Sequence, residues 1–361
     1  MKAAVCYEFS KPLVVEDVFL EPPQEGEVKV RVKATAICHS DIHCTNGDLP
    51  GPLPGIPGHE TVGLVETLGP NVTSVKPGDL VLVTTVTSGC GHCYYCTVGL
   101  RHLCERSKPL PFHHRNKNGQ PLASMAGPVA GLAEYTVVSE RQLAVIPADF
   151  PIDLAALLSC GVLTGYGAVF NRAQVKPLNS VVVVGTGGVG LNAIQAASIA
   201  GARPVIAVDI QESKLEMAKK FGATHVVNSM KEKDPIKIVQ QMTSGRGADY
   251  VFITVGSSAA VHQGFFMSAP RGMTVIIGLI PIKEKLTFST FDLIGGERVL
   301  TGCGGGSPRL TIDIPRLVEL YREGRLQLDD LIEAHYPLSE VNTAIESMAK
   351  GNTLRNVIMF D

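Results

Sequence analysis

Four valines at 181–184 run straight into GTGGVG at 185–190 and then into the apolar segment LNAIQAASIA. This order, strand, glycine turn, helix, constrains the fold more than any other stretch of the chain. Gly185 can make the tight turn, Gly187 lets the backbone approach a pyrophosphate, and Gly190 lets the helix pack close to the strand. Gly188 and Val189 complete the loop at the helix N-terminus, where free N–H groups and the dipole favour an anion. Asp209 stands nineteen residues past Gly190, at the end of the next apolar run, VIAVD. A carboxylate there accepts ribose hydroxyls and repels a 2′-phosphate, and no arginine follows closely in DIQESK, so NAD is expected rather than NADP. The alternative, a glycine-rich turn that binds nothing, requires strand, glycines, helix and acid to coincide without a ligand.

Further apolar runs follow at HVV (225–227), YVFITV (250–255) and MTVIIGL (273–279), with a sixth near Val299, and amphipathic segments such as ESKLEMAKKFGA lie between the first of them. Uninterrupted apolar strands alternating with helices predict a doubly wound parallel sheet covered on both faces. Upstream the texture differs. VKVRV at 28–32 and LVLV at 80–83 are short runs bounded by Pro-Gly turns, which predict antiparallel β structure. After Gly306 helices are expected at 314–323 and 338–350 and a closing strand at 357–360, packing back on the first domain. The domain reading is therefore residues 1–155 with 301–361, β-rich and discontinuous, around a dinucleotide-binding domain at 156–300.

At 361 residues two separate cores are the natural expectation. With 32 Lys+Arg against 34 Asp+Glu there is no basic excess of the kind nucleic acid binding needs. The opening MKAAVCYEFSKPLVV has no unbroken apolar h-region, and no stretch approaches about 18 apolar residues, so neither secretion nor membrane spanning is expected. Nine cysteines in such a chain point to metal ligation or catalysis in a reducing, cytoplasmic compartment rather than to disulfides.

Cys90, Cys93, Cys96 and Cys104 occur as CGHCYYCTVGLRHLC. Close CxxC turns let several thiolates converge on one ion, and four thiolates fill the tetrahedral shell of a structural zinc. An iron–sulfur cluster or plain buried thiols are the rivals; the ferredoxin-type run has a shorter final gap and a proline after its last cysteine, where this chain has Glu105. A second, dispersed set comprises Cys38 in ATAICHSDIH, His59 in PGHE and Cys160 in LLSCGVLTGYG. Singly each is as readily a packing residue; together two cysteines and a histidine match a catalytic zinc site whose fourth position stays open.

CHSDIH at 38–43, GHE at 58–60, the four-cysteine lobe, CGVLTGYG at 160–167, GTGGVG and Asp209 follow one another in an order that resembles the zinc-containing alcohol dehydrogenases of the medium-chain dehydrogenase/reductase family, nearly end to end. The resemblance implies a GroES-like catalytic domain beside a Rossmann domain, with the active site in the cleft between them. It implies two zinc ions per chain, the catalytic one on Cys38, His59 and Cys160, and NAD as cofactor. Glu60 corresponds to an acid near the zinc that can swing in as a transient ligand, and Asp41 to the carboxylate that orients the zinc-bound histidine. The implied chemistry is reversible hydride transfer between a primary or secondary alcohol and the nicotinamide, with protons relayed through Ser40 and His43; turn capping and a solvated surface imidazole are their plainer roles. His39, where many relatives carry arginine, Thr164 and Arg355 correspond to cofactor-binding positions, and Lys214 to a group near the adenosine ribose. A solvated charge is the alternative for Arg355 and a helix-surface lysine for Lys214. A homodimer or homotetramer is also implied.

Substrate identity is weakly encoded. The segments expected to line the pocket, around Val86, Phe112, Met125 to Gly127 and Leu279, hold many small residues, and the chain has no tryptophan. A roomy, largely apolar pocket for medium or bulky alcohols, aldehydes or ketones is expected. The other readings are a formaldehyde dehydrogenase acting on a thiol adduct, for which Lys108 is a weak candidate carboxylate partner, and a non-catalytic NAD-binding scaffold. His113 and His114 receive no role, and Cys6, Cys44 and Cys303 are expected to be packing residues.

Overall fold

The computed structural model describes residues 1–49, 51–106, 111–351 and 353–361. The chain divides into two compact units, Met1–Gly161 with Arg309–Asp361, and Val162–Pro308. No single helix among the described residues is long and apolar enough to cross a membrane.

The first unit is organised around the strand Glu27–Ala36, whose sequence EVKVRVKATA alternates apolar and polar residues and so buries one face. Glu60–Leu68 pairs antiparallel along one edge; Tyr135–Ser139 and Arg355–Met359 share the other. Leu80–Val83 and Leu143–Val145 extend the sheet beyond Glu60–Leu68, and Ile332–Pro337 adds to Arg355–Met359 in parallel. Val28, Val30, Val65, Val81, Val83 and Val138 form one core of this unit. The register matters for the chemistry: Ala36 faces Glu60 on one side and Val357 on the other, so three strand ends lie side by side. The helix Ile152–Leu158, buried along 154–158, packs on all three of these strands and delivers the chain to Cys160.

The second unit holds six parallel strands in the order His225–Asn228, Val205–Asp209, Val181–Val184, Ala248–Ile253, Ser268–Ile276, Val299–Gly302. The order reverses at Val181–Val184, as in doubly wound dinucleotide-binding sheets. Those four valines are buried on both faces, which is why the run carries no polar residue.

Several boundaries differ from expectation. The fourth strand ends at Ile253 rather than 255 and the fifth at Ile276 rather than 279, because the amides of Ile277 and Gly278 both donate to the Ile253 carbonyl and turn the chain. The helix expected at 314–323 begins at Leu310: the Asp313 carboxylate accepts the Arg309 amide at 2.7 Å and its guanidinium at 2.9 Å, closing the first turn, and Pro315 lies within the helix. The segment 338–350 splits into a 3-10 turn at Leu338–Glu340 and a helix at Val341–Ala349, and the closing strand starts at Arg355.

Candidate active site and metal centres

Strand register assembles the dispersed ligand set. Cys38 lies just beyond the end of Glu27–Ala36, His59 just before the start of Glu60–Leu68, and pairing of Ala36 with Glu60 places them together. Cys160 arrives from the helix packed behind these strands. Ligand atoms of Cys38, His59, Glu60 and Cys160 all lie within 4.8 Å of one another.

One carboxylate organises this cluster. Asp41, 1 % exposed, accepts the His59 Nδ1–H at 2.9 Å and the Gly58 amide at 2.9 Å on Oδ1, and the Cys38 amide at 3.0 Å on Oδ2. It fixes the imidazole tautomer that leaves Nε2 for a metal, and raises the basicity of that nitrogen. Burial works against charging His59, but the Asp41 carboxylate and the Cys160 sulfur outweigh it and hold the imidazole well above its usual range. The Cys38 thiol is held well below its ordinary value by its hydrogen bond with Cys160, against burial, and Cys160 is pushed up by the same hydrogen bond. Two thiols that share one proton beside a carboxylate-backed imidazole form a donor set that a divalent cation would neutralise, so the residues present fit zinc.

Glu60 is fully buried, and burial, opposed by Arg355, pushes its carboxyl up to about 8. Arg355 forks onto it, Nε donating to Oε2 at 3.2 Å and Nη2 to Oε1 at 3.2 Å, while Nη1 donates to the Leu354 carbonyl at 3.0 Å. At 4 % exposure Arg355 is no solvated charge; it is paired with Glu60 of the candidate metal cluster. Sequence reasoning missed this pair, and its one signal is a charge at the head of a buried run, RNVIMF.

Ser40 lies with its hydroxyl 3.6 Å from the Cys38 sulfur. His43 stands further along the helix His39–Asn46, half-exposed, its Nδ1 2.9 Å from Asp48 Oδ2. His39 is exposed at the first position of that helix. Val86 is half-buried, and Lys108 lies outside the described residues. His113 and His114 are both buried; His113 Nε2 approaches Glu27 Oε2 to 3.0 Å, and His114 donates from Nε2 to the Tyr135 carbonyl at 3.0 Å. Cys6, Cys44 and Cys303 are buried and belong to neither metal cluster.

Cys90, Cys93, Cys96 and Cys104 form the second cluster, again within 4.8 Å of one another. The sulfurs of Cys90 and Cys96 are 4.0 Å apart and those of Cys93 and Cys104 3.9 Å. Four sulfurs at about 2.3 Å from one zinc stand about 3.8 Å apart, so the spacing fits a closed tetrahedral shell. The backbone amide of His92, helped by that of Cys93, holds the Cys90 thiol down to about 6.

In the second unit Gly185, with φ of 90°, makes the turn after Val181–Val184, and the helix Gly188–Ile199 starts at once. A Cβ on Gly190 would stand 1.9 Å from the Gly185 carbonyl oxygen, whereas a Cβ on Gly187 would meet nothing within 4 Å. The loop is thus closed where helix meets strand and open where a pyrophosphate would lie, a cradle that fits the dinucleotide. Asp209 Oδ2 accepts the amide and hydroxyl of Thr186 at 2.7 and 3.0 Å, and Oδ1 accepts the amides of Ile210 and Gln211, which aims the carboxylate. Thr186, buried in the glycine loop, is the clamp that sequence reasoning overlooked. Lys214 is half-buried on the helix Glu212–Lys220, and Thr164 is buried on the helix Gly161–Gly167.

Comparison with known proteins gives a consistent result. Residues 24–148 match the alcohol dehydrogenase GroES-like domain and residues 188–323 the zinc-binding dehydrogenase family. Alcohol dehydrogenase 1 of Pisum sativum is 37 % identical over 379 residues, covering 100 % of this chain and 97 % of its own. Among solved structures, an alcohol dehydrogenase zinc-binding domain protein from Burkholderia ambifaria superposes with a TM-score of 0.93 at 34 % identity, covering 100 % of this chain and 98 % of the other. Benzyl alcohol dehydrogenase from Acinetobacter calcoaceticus does so with 0.92 at 33 % identity, covering 100 % and 99 %.

Proposed function

The chain belongs to the zinc-binding alcohol dehydrogenases, oxidoreductases built from a GroES-like and a Rossmann domain, and on that premise we propose that it catalyses reversible, NAD-linked hydride transfer between a primary or secondary alcohol and the corresponding aldehyde or ketone. One observation carries the reading: Cys38, His59 and Cys160 converge with Asp41 behind the imidazole. Two thiolates and one imidazole leave a fourth position for a substrate oxygen.

Two zinc ions per chain are proposed, one on Cys38, His59 and Cys160 and one on the four-cysteine lobe, in a reducing, cytoplasmic compartment that keeps these sulfurs as thiolates. When bound, the first ion supplies Lewis acidity toward the alcohol or carbonyl oxygen, and NAD supplies the hydride acceptor. The protein does the rest. Asp41 holds the His59 tautomer, and Ser40 beside Cys38 accepts the alcohol proton as it gives up its own to a relay that the cofactor ribose would bridge to His43, which is anchored through Nδ1 on Asp48 and exchanges a proton with solvent. Gly185, Gly187, Gly188, Val189 and Gly190 cradle the pyrophosphate, and Asp209 accepts the ribose hydroxyls.

The small residues around Val86 and Met125–Gly127, with Phe112 between these segments in the sequence, support a preference for medium or aromatic alcohols, and the similarity to a benzyl alcohol dehydrogenase agrees with it. A homo-oligomer formed through the second unit is proposed because its strand Val299–Gly302 is a sheet edge, preceded by the exposed Phe291 and Ile294.

The test is NADH absorbance across aliphatic, benzylic and polyol substrates, with zinc measured on the same sample. Benzylic turnover above ethanol turnover, NAD preferred to NADP, and a Cys38→Ser protein that folds without activity are expected. Full activity in Cys38→Ser would sink the mechanism, and turnover confined to ethanol would sink the substrate assignment.

A further inference from the structure

Glu60 offers a carboxylate oxygen within 4.8 Å of the Cys38, His59 and Cys160 ligand atoms. A carboxylate that joined them would complete the tetrahedral shell and leave no position for substrate. Its two oxygens are instead both taken by the Arg355 fork, Nε to Oε2 and Nη2 to Oε1.

What lets the fork lie there is the residue after Cys160. A Cβ built on Gly161 would stand 2.8 Å from Arg355 Nη2, 3.6 Å from its Cζ and 3.4 Å from Glu60 Oε1. An arginine tip usually yields to such a contact, but this one is 4 % exposed and its Nη1 is tied to the Leu354 carbonyl. The movement left to it is away from Glu60. Gly161 begins a helix rather than occupying a left-handed turn, so backbone conformation does not demand glycine here; clearance for the guanidinium does.

We propose that Gly161 is a positioning residue of the active site: by lacking a side chain it admits the Arg355 fork, and the fork holds Glu60 off the ion so that the fourth coordination position stays open. The inference rests on the zinc assignment above. Gly161→Ala displaces Nη2, breaks one arm of the fork, and frees a Glu60 oxygen to enter the ligand set. Arg355→Lys acts similarly from the other side, because a point ammonium cannot make two parallel N–H···O bonds.

The readout is cobalt substituted for zinc, with the visible spectrum followed as imidazole is added. Cobalt in the four-cysteine lobe has no open position and contributes a constant background. The parent protein shows an imidazole-dependent spectral change. Folded Gly161→Ala, and Arg355→Lys independently, bind imidazole at least about tenfold more weakly, on the scale of substitutions around metal ligands. Removing the intruder restores the response, so Gly161→Ala combined with Glu60→Ala regains the parent's titration. If either single variant folds, holds two cobalt ions and titrates like the parent, the proposal is wrong. If the parent itself takes no cobalt at Cys38, His59 and Cys160, the zinc assignment fails instead, and the two failures are distinguishable.

Discussion

Asp41 spends one side chain on three N–H donors from two places in the chain, Cys38 and the adjacent Gly58 and His59. Asn at this position could accept on one side only, and would turn its NH2 toward one of those donors. Asp41→Asn is therefore expected to weaken metal binding at the Cys38 site by 10- to 100-fold, roughly the effect of losing an outer-shell partner. Competition with a chromophoric chelator measures it, and unchanged affinity would remove Asp41 from its role. His114 makes a pH prediction. Burial, slightly offset by the bond to the Tyr135 carbonyl, pulls it from 6.5 to about 4. The folded protein holds it neutral while the unfolded chain protonates at 6.5, so its stability contribution is complete above pH 6.5 and is lost as pH falls toward 4. The loss amounts to about 3 kcal/mol. His113, itself paired with Glu27, sits beside it, so the test is a difference: urea midpoints against pH should fall less steeply for His114→Gln than for the parent. Equal slopes would contradict the assignment. At this scale the residues that converge in the candidate metal cluster could be singled out from CHSDIH, GHE and CGV. The roles of Arg355, Thr186 and Gly161 were not, because each is defined by an atom hundreds or tens of residues away.

The cysteine lobe shows how little regular structure a metal centre requires. Its ordered elements are the four-residue helix Tyr94–Thr97 and the 3-10 turn Arg101–Leu103, and its interior is sulfur with Tyr95 against it. Among the described residues such a segment has little beyond its sulfurs and Tyr95 to hold it, so a bound ion would supply the folding energy. Chelation, or Cys93→Ser, should open residues 88–106 to limited proteolysis and lower the melting temperature while the remaining folded protein keeps its kcat. Equal protease resistance with and without metal would show that the lobe stands unaided. In the dinucleotide loop, Gly190→Ala places a Cβ against the Gly185 oxygen, an overpacking that costs about 1–3 kcal/mol and should loosen NADH binding, as read by its fluorescence. Parallel strands were legible from uninterrupted apolar runs. Helix and strand ends were less so, because the Arg309–Asp313 cap and the amides that return to Ile253 are contacts, not compositions.

At the scale of the molecule, the sheet of the second unit ends on the strand Val299–Gly302, with Val299 42 %, Ile294 72 % and Phe291 80 % exposed. An unprotected edge bordered by apolar side chains invites pairing with another chain. Phe291→Glu with Ile294→Glu should lower the molar mass measured by light scattering to that of a single chain, without changing NADH affinity; an unaltered mass would place the interface elsewhere. The change of texture along the sequence suggested boundaries at 155/156 and 300/301, whereas the compact units divide after Gly161 and after Pro308, and the strand that completes the first sheet was seen only as a short apolar tail.

That strand, Arg355–Met359, is threaded between Glu27–Ala36 and Ile332–Pro337. During synthesis, some 320 residues separate the first of these partners from it, as the numbering shows. Val162–Pro308 leaves the ribosome whole and can fold while its neighbour is still an open sheet lacking the guanidinium that restrains Glu60. A message cut short before codon 355 would then yield a chain that carries the glycine loop, Cys38, His59 and Cys160 but leaves the Glu60 carboxylate without its guanidinium partner.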